Sequence, residues 1–270
     1  MSSGTALNVV VSTDAETAEL AADALWVLGA AAVVEEIVGD HVELRAALGD
    51  DEVLLRTLLR RFPFAWRLEW VDLAVADTWR QFAEPIEVDA DMIIIPQWVE
   101  PPATDHGIRL FIEPGSTFGL GNHPTTLGSL RLLGRLVREG DTVLDVGTGS
   151  GVLAISAVCR GARSAHGTDI NPASLGIVAL NAGFNGVDGR VTVGREPLDD
   201  LVGPYSIVVA NILAPVLIEL AEHLVRLTGR TLVISGLLAD RYEHVIAALA
   251  PLRITAIEHV DGWVAIALER

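Results

Sequence analysis

The sequence predicts an α/β protein: a seven-stranded, doubly wound (Rossmann-like) sheet in its C-terminal part, preceded by a small ferredoxin-like α+β domain. Three observations predict this. From Gly107 onward, short β-branched runs alternate with stretches of helical periodicity, the pattern of a largely parallel sheet. The last two strand segments are separated only by Asp261-Gly262, so they must form an antiparallel hairpin at a sheet edge. Before all of these, the first 73 residues alternate in the order βαββαβ.

In the first part, Leu7–Val11 reads as a strand, and Asp14 is placed to cap a helix through Ala18, Leu20, Ala21, Leu25 and Leu28, whose apolar spacing is helical. Ala31–Val38 and His41–Leu48 form two extended segments around Gly39-Asp40. Asp51 starts a second helix through Leu59, and Trp66–Val71 is the last strand. Residues 74–106 read as a linker with Pro85, Pro96, Pro101 and Pro102, the apolar strand Met92–Ile95, and the aromatic residues Trp79, Phe82 and Trp98. Four prolines make that path stiff, and the tryptophans are read as packing residues.

Residues 107–270 carry the large domain. Its expected strands are Thr142–Val146, Ala165–Asp169, Arg190–Gly194, Ser206–Asn211, Thr231–Ser235, Leu252–Glu258 and Trp263–Leu268. Helices are expected over 127–137, 150–160, 172–183, 214–227 and 238–249.

Composition narrows the function. Half of the 270 residues are apolar, ample for a packed core. No apolar run reaches the roughly 18–20 residues that span a bilayer. The first residues lack a basic segment followed by an apolar one, and Cys159 is the single cysteine. A soluble, cytoplasmic protein in a reducing compartment is expected. The net charge is −17, and residues 1–106 hold 20 acidic and 6 basic side chains. An acidic solvated surface explains this, as would a basic partner for the N-terminal part. Nucleic acid fits poorly, because no basic stripe exists. All 19 basic residues are arginine. The seven histidines show no ligand spacing, so no metal site is expected.

The chemistry concentrates in Val143-Leu144-Asp145-Val146-Gly147-Thr148-Gly149-Ser150-Gly151, a buried strand running through a glycine loop into a helix. Glycines there let the backbone approach a ligand closely. Gly147, Gly149 and Gly151 alternate, whereas a dinucleotide loop would carry its third glycine at position 152, which is Val152. Asp145 suits the amino-acid part of a methionine-bearing nucleoside, or its bound water. Asp169, eighteen residues after Gly151, ends the next strand and can accept both ribose hydroxyls, a feature shared with NAD enzymes. The closing hairpin favours the seven-stranded class I methyltransferase sheet, and so S-adenosylmethionine, over the NAD-dependent alternative. Asn211, ending the strand Ser206–Asn211, is a polar amide after an apolar run and is assigned to the site, orienting an amine beside the sulfonium methyl. The loop Glu113–Thr126 holds three glycines and suits a cofactor lid.

Together, Pro114-Gly115, Phe118-Gly119, Gly121, His123 and Thr125-Thr126, the glycine loop, Asp169-Ile170-Asn171-Pro172 and Ala210-Asn211-Ile212-Leu213-Ala214 resemble the PrmA family over the whole chain. That family methylates ribosomal protein eleven of the large subunit. The resemblance implies cofactor contacts at Thr126, Gly147, Asp169 and Asn211, with Phe118 and Gly119 closing the loop. It implies methylation of lysine and/or N-terminal amines by a catalytic Asn211, and recognition of that basic protein by residues 1–73. His123 is read as ordering the loop rather than as a base. The alternative is a methyltransferase acting on a lysine of another protein or on a small molecule.

Overall fold

The computed structural model describes residues 5–15, 17–28, 30, 32–48, 52–72, 80, 83–103, 106–115 and 121–270. The expectations for Asp51, Trp79, Phe82, Phe118 and Gly119 lie outside them. The chain divides into two compact units, Met1–Ala83 and Glu84–Arg270.

In the first unit, strands β1 (Thr5–Thr13), β2 (Ala32–Val38), β3 (His41–Ala47) and β4 (Trp66–Asp72) form an antiparallel sheet of order β2-β3-β1-β4. Helices α1 (Ala18–Val27) and α2 (Glu52–Leu58) complete the ferredoxin-like βαββαβ order. The amide of Thr17 donates to Asp14 Oδ1 at 2.8 Å, which fixes the entry to α1. Leu7, Val9 and Val11 point to one side of β1 and pack with Leu25, Leu44, Leu55 and Leu59. Val10 points the other way and is still fully buried, because Arg45 and Arg67 flank it in register on β3 and β4. Those arginines bind Glu43 and Glu69 at 2.8–2.9 Å.

The second unit opens with a three-stranded sheet of β5 (Ile86–Glu87), β6 (Met92–Pro96) and β7 (Ile108–Ile112). Every residue of β6 is buried. The main sheet contains β8 (Thr142–Val146), β9 (Ser164–Thr168), β10 (Val191–Gly194), β11 (Tyr205–Asn211), β12 (Thr228–Leu238), β13 (Arg253–Val260) and β14 (Trp263–Glu269). Its order is β10-β9-β8-β11-β12-β14-β13, parallel except for β14, which runs antiparallel to both neighbours. The expected hairpin is therefore present, its turn carrying positive φ at Asp261 (46°) and Gly262 (82°).

Strand alternation sorts the core into two layers. Val143, Ile207, Val209 and Val233 pack with α3 (Pro124–Leu136), α4 (Val152–Cys159) and α5 (Ala173–Phe184). Leu144, Val208, Leu232 and Ile234 pack with α6 (Ala214–Glu219), α7 (Ala221–Leu227) and α8 (Glu243–Ala248). Both faces of the sheet are thus covered, as a parallel sheet requires.

Three boundaries differ from expectation. The helix expected over 214–227 is two pieces broken at Leu220, whose backbone (φ −89°, ψ 3°) leaves the helical region. The helix expected from 238 begins at Glu243, because β12 continues to Leu238 by pairing with Trp263. Helix α3 begins at Pro124 rather than 127, since His123 caps it and proline suits the first position.

Candidate active site

The parallel register brings the sequence-predicted residues together at one end of the sheet. Val146 stands opposite Thr168 on one side and Ala210 on the other, so the carboxyl ends of β9, β8 and β11 are adjacent. Ligands of doubly wound sheets bind at this end. Asp169, the glycine loop and Asn211 follow directly from those three strands.

The loop itself is built by carboxylates. Gly147, Gly149 and Gly151 have φ of 73°, 53° and 82°, a region other residues adopt at a cost. A Cβ at Gly147 would also lie 2.5 Å from Ile212 Cγ2, so the loop passes directly against the residue after Asn211. Asp145 is fully buried beneath it. Its Oδ2 accepts from Thr148 Oγ1 at 2.7 Å and from the Ala154 amide at 3.1 Å, while Oδ1 has no partner among the described residues. Burial raises its pKa to about 7, against the lowering by Thr148 and Ala154, and the nearby Asp169 charge adds to the rise. Asp169 braces the other side: Oδ2 accepts from the Gly149 amide and Oδ1 from the Asn171 amide, both at 2.8 Å. Each carboxylate oxygen keeps a second acceptor position.

Across the site, Asn211 Nδ2 donates to Thr126 Oγ1 at 3.2 Å. This hydrogen bond joins two predicted site residues 85 positions apart. Thr126 sits in the first turn of α3, only 1% exposed, held by its amide bond to the His123 carbonyl. His123 Nδ1 lies 2.8 Å from Thr125 Oγ1 and accepts from the Thr125 amide at 3.4 Å; its ring meets Trp263 edge-on at 5.3 Å. Burial lowers its pKa, which keeps the ring neutral and able to cap.

Two supporting residues escaped the sequence reading. Ser235 on β12, fully buried opposite Asn211, donates to the Thr125 carbonyl at 3.0 Å and so fastens the first turn of α3 to the sheet. Thr148 fixes Asp145, as described above. Neither carries a sequence signal beyond being a small hydroxyl near a strand end. Among the described residues no group of side chains could hold a metal ion, and no helix is long and apolar enough to cross a membrane.

The sheet order, with its single antiparallel strand and its glycine loop between β8 and α4, defines a class I methyltransferase fold. Residues 57–270 match the family described as "Ribosomal protein L11 methyltransferase (PrmA)". Proteins of that description from Bacillus cytotoxicus and Bacillus cereus are 35% identical over 198 residues and 34% identical over 197, each match covering 71% of this chain and 63% of the relative. A crystal structure described as ribosomal protein L11 methylase, from Lactobacillus delbrueckii subsp. bulgaricus, is similar with a TM-score of 0.65 at 30% identity, over 70% of this chain and 99% of that one. The chain belongs to the ribosomal protein L11 methyltransferase (PrmA) family. It spans 63% of the length of the curated relatives it matches.

Proposed function

We propose that the protein is a cytoplasmic, S-adenosylmethionine-dependent methyltransferase that modifies lysine and/or N-terminal amines of ribosomal protein L11. Its relatives' names support the substrate. The observation that carries the chemistry is the Thr126–Asn211 hydrogen bond, which holds a carboxamide beside the glycine loop.

The site fits S-adenosylmethionine. Asp169 would accept the ribose hydroxyls while bracing Gly149, and Gly147 to Gly151 would present backbone to the cofactor. Thr126 would contact it, with Phe118 and Gly119 of the preceding loop closing over it. The buried Asp145 keeps the loop in shape and offers its unpaired Oδ1 to the cofactor or its bound water. The Ala154 amide in the first turn of α4 already donates to Asp145, so that turn is not arranged around a pyrophosphate, which supports a phosphate-free nucleoside over NAD.

When bound, S-adenosylmethionine supplies a methyl group already activated on a sulfonium. The protein's task is then alignment and deprotonation of the acceptor. With Nδ2 engaged by Thr126, Asn211 would present Oδ1 to the amine N–H and so orient the acceptor nitrogen. A lysine amine has an unperturbed pKa near ~10.4. Removal from water favours its neutral form, and the carboxamide oxygen then orients the amine. His123 serves as the cap of α3 rather than as a base, because its Nδ1 is held by Thr125. The acidic residues 1–106 suit recognition of a basic substrate by the N-terminal domain.

Incubation with methyl-labelled S-adenosylmethionine and purified ribosomal protein L11 tests the reading. Label on amines of L11 is expected. Label only on a different protein would refute the substrate, and no binding of S-adenosylmethionine would refute the cofactor.

A further inference from the structure

Helix α5 carries no charged residue, yet it buries a carboxamide completely: Asn181 is 0% exposed. Its Oδ1 accepts from the Glu113 amide at 2.9 Å, and its Nδ2 donates to the Glu113 carbonyl at 2.8 Å and to the Ser150 carbonyl at 2.9 Å. One helical turn on, Asn185 repeats the arrangement with Phe111. Its Oδ1 accepts from the Phe111 amide at 2.9 Å, and its Nδ2 donates to the Phe111 carbonyl at 2.7 Å and the Asn181 carbonyl at 2.8 Å.

The match follows from geometry. Four residues of helix rise about 6 Å. Two residues of strand rise about 6.6 Å. Two asparagines spaced i, i+4 therefore face two successive same-side peptide groups of an extended chain. On α5 they take the place of a neighbouring strand for β7 and the residue after it. The pair is not symmetrical, however. Asn185 binds only β7 and its own helix, whereas Asn181 also reaches the glycine loop through Ser150.

We infer that Asn181 is a positioning residue that locks the base of the loop beginning at Glu113 to the glycine loop, setting the spacing of the two cofactor-binding segments. This rests on the cofactor reading above. Loss of its side chain removes three hydrogen bonds, to the Ser150 carbonyl and to the carbonyl and amide of Glu113, so both segments loosen together. Glu113 propagates the effect, since its carboxylate accepts from the Gly115 amide at 2.9 Å.

The test compares Asn181→Ala with Asn185→Ala in the full chain. Hydrogen exchange is read without cofactor in peptides covering 111–115 and 147–152, and S-adenosylmethionine affinity by calorimetry. For Asn181→Ala, faster exchange in both peptides and affinity weakened about tenfold are expected. For Asn185→Ala, faster exchange confined to the 111–115 peptide and affinity within about twofold of wild type are expected. Should the alanine variant of Asn181 fold poorly, Asn181→Ser reads the same comparison. Unchanged exchange in 147–152, or equal loss of affinity in both variants, would overturn the coupling. A wild-type protein that binds no S-adenosylmethionine would overturn the cofactor reading itself, while the cofactor-free exchange comparison would still decide the coupling.

Discussion

Asp169 and Asp145 both hydrogen-bond residues of the glycine loop and do opposite work. Asp169 is partly exposed and grips two backbone amides while retaining acceptor capacity toward a ligand. Replacing it with alanine removes the brace on Gly149 and the proposed ligand contact. Asp169→Ala is expected to raise KM for S-adenosylmethionine about a hundredfold, with a much smaller change in kcat at saturation; steady-state kinetics against cofactor concentration checks this. Asp145 is wholly buried, and its folded-state pKa of about 7 stands above its unfolded value. Between those values the folded state binds more protons than the unfolded one, so this group's contribution to stability falls as pH rises toward 7. Asp145→Asn is expected to remove that decline, which urea unfolding at pH 5 and pH 8 would show. Both carboxylates were legible in the sequence, because Asp145 interrupts an apolar strand and Asp169 lies at the end of the next one. The sequence could not show that Asp145 points under the loop with one oxygen committed, since that depends on the turn geometry of Thr148 and Ala154.

At the scale of elements, the sheet was readable and the joints between elements were less so. Apolar runs and the Asp261-Gly262 turn gave all seven strands of the large sheet. Leu220 looks helical in sequence, yet its backbone breaks the helix between α6 and α7. The start of α3 hid in a glycine-rich loop, although His123-Pro124 is a start signal on its own terms. The Asn211–Thr126 and Ser235–Thr125 hydrogen bonds span 85 and 110 positions and leave no local periodicity to read. A further joint pins the far end of α3. Arg230 on β12 donates to both oxygens of Asp141, at 2.8 and 2.7 Å, and to the Leu136 carbonyl at 2.9 Å. Desolvation opposes ionisation of Asp141, and Arg230 with the Arg138 amide outweighs it and lowers the pKa. Arg230→Ala would strand that largely buried carboxylate and is expected to cost about 3 kcal/mol, measured by chemical denaturation. Asp141 contributes stability above its unfolded pKa and loses it as pH falls through the lower folded value, so the deficit of the variant should shrink in acid.

For the whole molecule, the proposed division of labour draws on an uneven charge and a continuous family match. The match begins at residue 57, within α2, and runs to the C-terminus. The acidic excess before residue 107 suits a basic protein substrate, and attraction of that kind is screened by salt. KM for ribosomal protein L11 is therefore expected to rise several-fold between about 0.05 and 0.3 M salt, with KM for S-adenosylmethionine nearly constant; initial rates across a salt series check both. This level was legible in the sequence as a charge imbalance, but composition alone cannot distinguish a docking surface from an ordinary acidic one.

Asn211, oriented by Thr126, is proposed to act on the amine rather than merely to line the cofactor site. Single-turnover methylation of ribosomal protein L11 by Asn211→Ala, at saturating S-adenosylmethionine and with cofactor affinity measured in parallel, tests it most directly. Affinity within a few-fold of wild type and a rate lowered about a hundredfold are expected. A wild-type rate once the cofactor site is filled would contradict that role.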